Sequence, residues 1–190
     1  MSAMAEILTE PDLAVQFRRG EDSAFDKIVE RHAAEVAALA NRLLGWPGDV
    51  DDVVQEVFLA AFLGLRKFRG DCRLRTWLFA ITVNKCHSWR LRRRRMSPVR
   101  VISDSDDLSG MDRSSDRAAM DEETFARVRR AVQTLPRKYR EVVVLKYLQG
   151  LEAQEACELL GLTVNAMEVR LNRARARLKE QLGDLFEEKP

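Results

Sequence analysis

The chain has few of the residues that build metal sites and disulfides. Its 190 residues include three cysteines, Cys72, Cys86 and Cys157, and two histidines. The cysteines are odd in number and widely spaced, and no CxxC pair or Cys/His cluster is present. This pattern argues against a zinc site and against a disulfide framework. We therefore expect reduced thiols, as in cytoplasmic proteins, and neither a metal ion nor another cofactor.

Long apolar runs are also missing. No stretch approaches the roughly 20 apolar residues that a membrane-spanning helix needs. The first residues, MSAMAEILTEPD, contain acids and no apolar core of signal-peptide length. The sequence also shows no nucleophile with a matching base and no phosphate-binding loop. We therefore expect a cytoplasmic protein that is not inserted in a membrane and is not an enzyme.

Charge is abundant and unevenly distributed. The net charge of +2 arises from 32 basic and 30 acidic residues, which are segregated along the chain. The most basic stretch is Phe68–Arg95, FRGDCRLRTWLFAITVNKCHSWRLRRRR. Five of its last six residues are arginines: Arg90, Arg92, Arg93, Arg94 and Arg95. Such closely spaced like charges repel unless a polyanion neutralises them, which favours a nucleic-acid partner.

Aromatic residues are interleaved with the cations of this basic stretch. Aromatic faces can stack on unpaired bases while guanidinium groups hold phosphates. The aromatic residues are Phe68, Trp77, Phe79 and Trp89. The apolar residues at helical spacing, which predict one buried face, are Leu74, Trp77, Leu78 and Ile81. Two interpretations stay open: a helix that handles nucleic acid and holds strands apart, or a buried helix with a solvated basic end.

Three helices are predicted before the basic stretch. The first begins at Thr9 as its cap and ends near Gly20, and the second follows an apolar stripe from Phe25 to Leu44. The second helix is expected to end at residues 45–48, which read GWPG, and Asp49 is expected to cap the third helix. The third helix has a buried stripe of Val50, Val53, Val54, Val57, Phe58, Ala61, Phe62 and Leu65. Its opposite face carries Asp51, Asp52, Gln55 and Glu56, which suit the helix dipole or dock a basic partner.

Residues 96–120 change in character. This segment is rich in serine and aspartate, lacks periodicity, and has a charge of −2 from five aspartates and three arginines. Such a composition cannot bury a core, so we predict a flexible acidic linker. It is either a plain tether or a negatively charged strand that lies in a basic channel of a partner.

A second folded unit is expected over residues 121–185. Phe125, Val128 and Val132 predict a helix that ends at Leu135-Pro136, and a further helix runs to Leu148. A short helix over 152–160 precedes a Gly161-Leu162-Thr163 turn and a basic helix that Thr163 caps. The expected inward residues of this last helix are Val164, Met167, Leu171, Ala174 and Leu178. Short helix, glycine turn and basic helix are the sequence form of a helix-turn-helix.

Three ordered motifs resemble the bacterial extracytoplasmic-function (ECF, group IV) sigma factors. Residues 49–62, DVDDVVQEVFLAAF, are similar to the segment that binds the clamp helices of RNA polymerase. Residues 68–95, with FRGD, RTWL and ITVN, are similar to the segment that melts and reads the −10 element. Residues 135–178, with LPRKYREVVVLKYLQG and RLNRARARL, are similar to the region that reads the −35 element.

The resemblance implies an all-α protein with two small helical domains, 9–95 and 121–185, joined by the linker. It implies core RNA polymerase and promoter DNA as partners, and an anti-sigma factor as a further partner, since the family often has one. The implied polymerase-binding residues are Asp51, Asp52, Gln55, Glu56 and Phe58. The implied −10 residues are Arg69, Asp71, Arg73, Arg75, Asn84, Arg90, Arg92, Arg93, Arg94 and Arg95. The implied −35 residues are Glu168, Val169, Arg170, Asn172, Arg173 and Arg177.

Two of these positions raise specific questions. Asn84 matches a position that contacts a flipped base, and an amide suits this task because it offers a donor and an acceptor. The alternative interpretation is that the Asn84 amide makes its hydrogen bonds within the fold. Residues 165–171 read NAMEVRL where family members commonly read GTVKSRL. Glu168 cannot bind phosphate and accepts only from donors such as the cytosine amino group, so the −35 preference is unusual or DNA binding is weak.

Two rival functions remain. A plain helix-turn-helix regulator would bind duplex DNA without polymerase, and the acidic face and the first basic unit speak against it. A nuclease would need clustered acids or histidines near the basic face, and Asp71 and His87 alone are too few. A thiol switch at Cys72 or Cys86 is a weaker regulatory hypothesis.

Overall fold

The computed structural model describes residues 10–45, 49–96 and 116–183, and the regular elements in these ranges are helices. This confirms the all-α prediction. In chain order they are α1 Glu10–Arg18, α2 Ser23–Leu44, α3 Val50–Leu65, α4 Leu74–Met96, α5 Asp116–Thr134, α6 Arg137–Val143 with a π-helical turn Val144–Leu148, α7 Ala153–Leu160 and α8 Val164–Leu182. The predicted Thr9 cap, the break at 46–48, most of the linker and residues 184–185 lie outside the described ranges.

The chain divides into two compact units, Met1–Arg93 and Arg94–Pro190. In the first unit, α2 packs against both α1 and α3. Four phenylalanines join these helices: the rings of Phe17 and Phe62 are 5.2 Å apart, those of Phe25 and Phe62 are 5.1 Å apart, and Phe58 meets Phe25 at 6.5 Å, all edge to face. This geometry suits the aromatic quadrupoles and fixes α3 on the α1–α2 pair.

The buried face of α4 contains residues that differ in part from those predicted. Leu74 and Leu78 are buried as expected, but Trp77 and Ile81 are only half-buried. Phe79 is 1% exposed, and Val83 and Cys86 are also buried. Trp77 instead packs over Gly64 of α3, where an added Cβ would lie 3.2 Å from the indole ring. Gly64 therefore permits the close approach of these two helices.

The cap of α3 also differs from the prediction. Asp49 occupies the N-cap position, but its side chain makes no cap hydrogen bond. Its carboxylate accepts a bond of 2.9 Å from Arg93 of α4 instead. An ion pair between two helices has replaced the local cap.

In the second unit, α8 packs against α5, α6 and α7. The spacing of Phe125, Val128 and Val132 correctly predicted a helix, but Phe125 and Val128 are 64% and 36% exposed. Burial begins at Ala131 and Val132, and the Thr134 hydroxyl bonds Gln181 of α8 at 2.9 Å. Among residues 122–134, whose side chains the structure describes, α5 contributes its C-terminal turns to the core. It also begins at Asp116, so residues 116–120 are helical and not part of the predicted linker.

The valine run in α6 is helical because it is buried. Val142 and Val144 are fully buried, and packing overrides their β-propensity. Arg140 lies beside them, 3% exposed, and its guanidinium donates to the carbonyls of Gln133 and Leu135 at the end of α5. This arginine thus satisfies carbonyls that the end of α5 leaves without helical partners.

Among the described helices, none has both the length and the apolar character of a bilayer span. The described residues also contain no group of three or more histidine, cysteine or acidic side chains placed to hold a metal ion.

Candidate protein and nucleic-acid interfaces

The polar face of α3 is exposed on the first unit. Asp51, Asp52 and Gln55 are accessible, as a docking surface requires. Phe58 is 9% exposed and packs on Phe25 of α2, so it holds α3 in place and is not part of the exposed surface. Glu56 is half-buried and joins α3 to the basic stretch of α4.

Glu56 forms two ion pairs with α4. Its carboxylate oxygens lie 2.6 Å from Nη2 of Arg92 and 3.4 Å from Nζ of Lys85. Partial burial raises the pKa of Glu56, but the hydrogen bonds and charges of Arg92 and Lys85 together outweigh it and lower the pKa below its ordinary value. The acidic face of α3 and the basic end of α4, predicted to bind different partners, are therefore electrostatically linked.

The arginines at the end of α4 have partners within the first unit. Arg90 donates to the carbonyls of Leu43 at 2.5 Å and Leu44 at 3.3 Å, at the C-terminus of α2. Arg93 pairs with Asp49 and lies 5.1 Å from the ring centroid of Trp89. The premise that only a polyanion can neutralise this patch is wrong, because carboxylates and helix-end carbonyls already compensate part of it. Arg95 is exposed, and the side chain of Arg94 lies outside the description.

The remaining predicted −10 residues lie along the loop before α4 and on its surface. Arg69, Asp71, Arg73 and Asn84 are exposed. The guanidinium of Arg18 anchors the loop through a 2.8 Å bond to the carbonyl of Phe68. The exposure of Asn84 fits the base-contacting interpretation better than the alternative of an amide satisfied in the interior.

Two members of the predicted −10 set are engaged in the fold. Arg75 bonds Glu35 of α2 at 3.0 Å and lies 4.6 Å from the ring centroid of Phe79. Phe79 is buried and cannot stack on a base, which corrects the aromatic prediction. Trp77 packs beside Phe68 with 5.2 Å between ring centroids, and both rings are half-buried.

The predicted helix-turn-helix is present in the second unit. Helix α7 ends at Gly161, whose φ of 63° is the left-handed conformation that closes a helix. The Thr163 hydroxyl accepts a 3.2 Å bond from the amide of Ala166, so the predicted cap of α8 is confirmed. Cys157 of α7 is buried, and its Sγ lies 3.3 Å from Sδ of Met167, which fixes the two helices together. The expected inward position of Val164 is wrong, since it is 48% exposed.

The predicted −35 residues lie mostly on the surface of α8. Glu168, Val169, Asn172, Arg173 and Arg177 are exposed, and Arg170 is half-buried. A hydrogen bond from Arg173 lowers the pKa of the Tyr139 phenol, and the guanidinium of Arg177 lies 5.3 Å from the centroid of the same ring. Tyr139 thus orients the guanidinium of Arg177, which faces away from the core.

Two further residues adjoin this surface that were not in the predicted −35 set. Arg175 donates to the Tyr147 hydroxyl and to Oδ1 of Asn172. The spacing of Arg175 from Asn172, one helical turn, is readable in the sequence. Tyr147 is not, because its position depends on the π-helical turn that follows α6.

Comparison with known proteins matches both units. Residues 28–96 match the family model described as sigma-70 region 2, and residues 125–178 match the one described as sigma-70, region 4. The chain is 31% identical to the ECF RNA polymerase sigma-E factor of Escherichia coli (strain K12), covering 96% of this chain and 99% of that protein.

A second relative gives the same result. The RNA polymerase sigma factor CnrH of Cupriavidus metallidurans is 37% identical, covering 90% of this chain and 92% of that protein. A solved structure of CnrH in complex with the cytosolic domain of CnrY aligns with a TM-score of 0.67 at 34% identity, covering 92% of this chain and 97% of that one.

Proposed function

Because this chain belongs to the ECF sigma factors of the sigma-70 family, which direct promoter-specific transcription by RNA polymerase, we propose that its two helical units divide promoter recognition between them. A sigma factor is a regulatory subunit rather than a catalyst, so we assign no catalytic residue. The observation that carries the division is that the two family matches fall on separate compact units with different exposed faces.

The first unit would dock on the clamp of the largest polymerase subunits through α3. Asp51, Asp52 and Gln55 supply an exposed polar and acidic surface for basic clamp residues. Glu56 would contribute at the edge of this surface while it pairs with Arg92 and Lys85. Phe58 would act indirectly, by fixing α3 on α2.

The same unit would read and open the −10 element. Arg69, Asp71 and Arg73 on the exposed loop would surround a flipped base, and Asn84 would contact its edge. Trapping unstacked bases supplies the free energy for strand opening once polymerase holds the duplex, and this step needs no cofactor. Arg75 would support the loop through Glu35.

The basic end of α4 would follow the duplex phosphates beside the melted bases. We keep Arg92, Arg93, Arg94 and Arg95 in this proposed set. Arg90 is assigned to holding α4 on the end of α2, because its guanidinium is engaged by two carbonyls there.

The second unit would place α8 in the major groove of the −35 element. Glu168, Val169, Asn172 and Arg173 form the proposed base-reading face, and Arg170 and Arg177 would support backbone contacts or the fold. Glu168 favours an unusual −35 sequence, since its carboxylate accepts from an amino group such as that of cytosine.

Regulation would come from a protein that covers the polymerase-facing surface. CnrH has been solved with the cytosolic domain of CnrY. By analogy we propose that an anti-sigma protein binds this chain in the cytoplasm, where polymerase acts. A native pull-down across growth conditions that recovers polymerase subunits alone would remove this part of the proposal.

In vitro transcription tests the main function. Core polymerase, the full chain and a library of promoter fragments would be combined, with wild type and Asn84→Ala compared. Asn41→Ala, an exposed asparagine on α2, is the matched control. We expect specific initiation that weakens or changes its −10 preference with Asn84→Ala alone. Unchanged preference would discard the role of Asn84, and absent initiation with intact duplex binding would indicate a plain regulator.

Polymerase docking needs a separate variant. Asp52→Lys is preferable to a change at Glu56, because Glu56 also pairs with two cations of α4. The variant should lose polymerase in a pull-down while its helical content stays unchanged. Retention of polymerase at wild-type strength would contradict the docking assignment.

A further inference from the structure

Helix α6 ends in a π-helical turn that projects one tyrosine beside α8. The turn spans Val144–Leu148, and the amide of Gln149 donates to the carbonyl of Val144 at 2.9 Å, five residues back. Such turns are rare, and they recur at functional sites. Here the turn leaves Tyr147 50% exposed, with its hydroxyl directed at Arg175 on α8.

Tyr147 fixes the plane of the Arg175 guanidinium. Nε of Arg175 donates to the phenol oxygen at 3.1 Å, and Nη2 donates to the same atom. The guanidinium carbon lies 5.7 Å from the centroid of the tyrosine ring. Two donors that converge on one oxygen leave the third nitrogen, Nη1, in a defined direction.

Nη1 of Arg175 then sets the orientation of an amide on the surface of α8. It donates to Oδ1 of Asn172 at 2.9 Å. Because a guanidinium has donors and no acceptor, the amide must turn its oxygen toward Arg175 and its NH2 group away. Asn172 itself is exposed on the face of α8 that is proposed to read bases.

We infer that Tyr147 and Arg175 are positioning residues that determine which base Asn172 reads. This inference rests on the proposed role of α8 at the −35 element. An asparagine with both groups available reads adenine, by accepting from N6 and donating to N7. With Oδ1 held by Arg175, Asn172 offers mainly NH2 donors, which suit the acceptors of guanine (N7 and O6) or thymine (O4).

Loss of these hydrogen bonds should change the base specificity of Asn172 and not the stability of the fold. All three side chains are exposed, and hydrogen bonds between exposed groups contribute little to the folded state because water replaces them. Removal of the Tyr147 hydroxyl therefore releases the guanidinium from the phenol, so that it no longer holds the Asn172 amide in one orientation, while the packing of α6 is retained.

The test is in vitro transcription by the holoenzyme from promoter fragments randomised over the −35 element. Wild type, Tyr147→Phe, Asn172→Ala and the double variant would be compared. Asn172→Ala identifies the base pair that Asn172 reads. We expect Tyr147→Phe to shift preference at that same pair toward adenine by about threefold to tenfold, the effect of one hydrogen bond. In the Asn172→Ala background it should have no further effect.

Controls separate this inference from the function on which it rests. Lys179→Gln, exposed one turn beyond Arg175, should weaken all fragments alike. A Tyr147→Phe profile that is unchanged at the Asn172 pair, or lowered equally for every fragment, overturns the positioning role and leaves the −35 function standing. Wild-type initiation that ignores the −35 sequence overturns both.

Discussion

Each unit carries one basic helix, and the arginines of α4 and α8 are held by different partners. At the end of α4, Arg92 and Arg93 pair with the carboxylates of Glu56 and Asp49. On α8, the guanidinium of Arg177 lies over the ring of Tyr139, and Arg175 bonds the phenol of Tyr147. Carboxylates cancel part of the positive charge, while a phenol orients a guanidinium and leaves its charge available to phosphates.

This difference assigns separate tasks to similar residues. The α4 cations join two surfaces of one unit, since Glu56 lies on the helix proposed to bind polymerase. The α8 cations make no ion pair with an acid among the described residues, which suits the contact with DNA that we propose for them. Two other arginines, Arg90 and Arg140, serve the fold by bonding carbonyls at the C-terminal ends of α2 and α5. Four predictions test this division.

The largest effect is expected for the buried arginine of the second unit. Arg140→Met should lower the free energy of unfolding by about 2–3 kcal/mol, because carbonyls at the end of α5 lose a charged donor. Urea unfolding followed by circular dichroism measures it. Arg129→Met, exposed on α5, is the control and should change stability by about 0.5 kcal/mol or less. Equal urea midpoints for the two variants would show that the Arg140 side chain does not stabilise the fold.

A smaller effect is expected for the corresponding arginine of the first unit. Arg90→Met should cost about 1–2 kcal/mol, since Arg90 is half-buried and water replaces part of its bonding. All three tryptophans, Trp46, Trp77 and Trp89, belong to the first unit, so their fluorescence in urea reports this unit alone. Arg95→Met, exposed further along α4, should leave the transition in place. A similar shift of the urea midpoint in both variants would show that Arg90 stabilises the fold no more than the exposed Arg95 does.

Salt dependence compares the two basic helices directly. Arg177→Gln, which removes a proposed backbone contact, should reduce the slope of log affinity against log salt for holoenzyme binding to promoter DNA by about 1. Arg93→Gln should reduce it by less, because Asp49 already compensates that charge. Equal reductions of the slope would show that Arg93 leaves Asp49 without a cost in free energy when DNA binds.

The smallest effect is expected for Glu56. Its lowered pKa means that the ionised carboxylate stabilises the fold above about pH 4.5, and this stabilisation is lost as pH falls through the folded-state pKa. Glu56→Gln should cost about 0.5–1 kcal/mol at pH 7, the range of a partly exposed pair. The difference from wild type should vanish in acid. Tryptophan fluorescence in urea at several pH values measures it, and a pH-independent difference would rule out the ion pairs as its source.

The sequence predicted the helices well because their signals are local. Thr163 caps α8 as its position before an amphipathic run indicated, and Leu135-Pro136 ends α5. Predictions failed where burial depended on a neighbour. Phe125 and Val128 have helical spacing, yet they are exposed, and among the described side chains of α5 burial begins at Ala131. Phe79 lay among cations in the sequence but faces the interior.

The all-helical class, the family and candidates such as Asn84 and Asn172 follow from helical periodicity, capping residues and motif order, all of which are local to the sequence. The partner of each arginine follows instead from the packing of helices that are distant in the sequence. Glu56 and Arg92 are 36 residues apart, and Tyr147 and Arg175 are 28 apart. Contacts at such separations depend on how helices pack, so the difference between neutralised and oriented cations appears only in the folded chain.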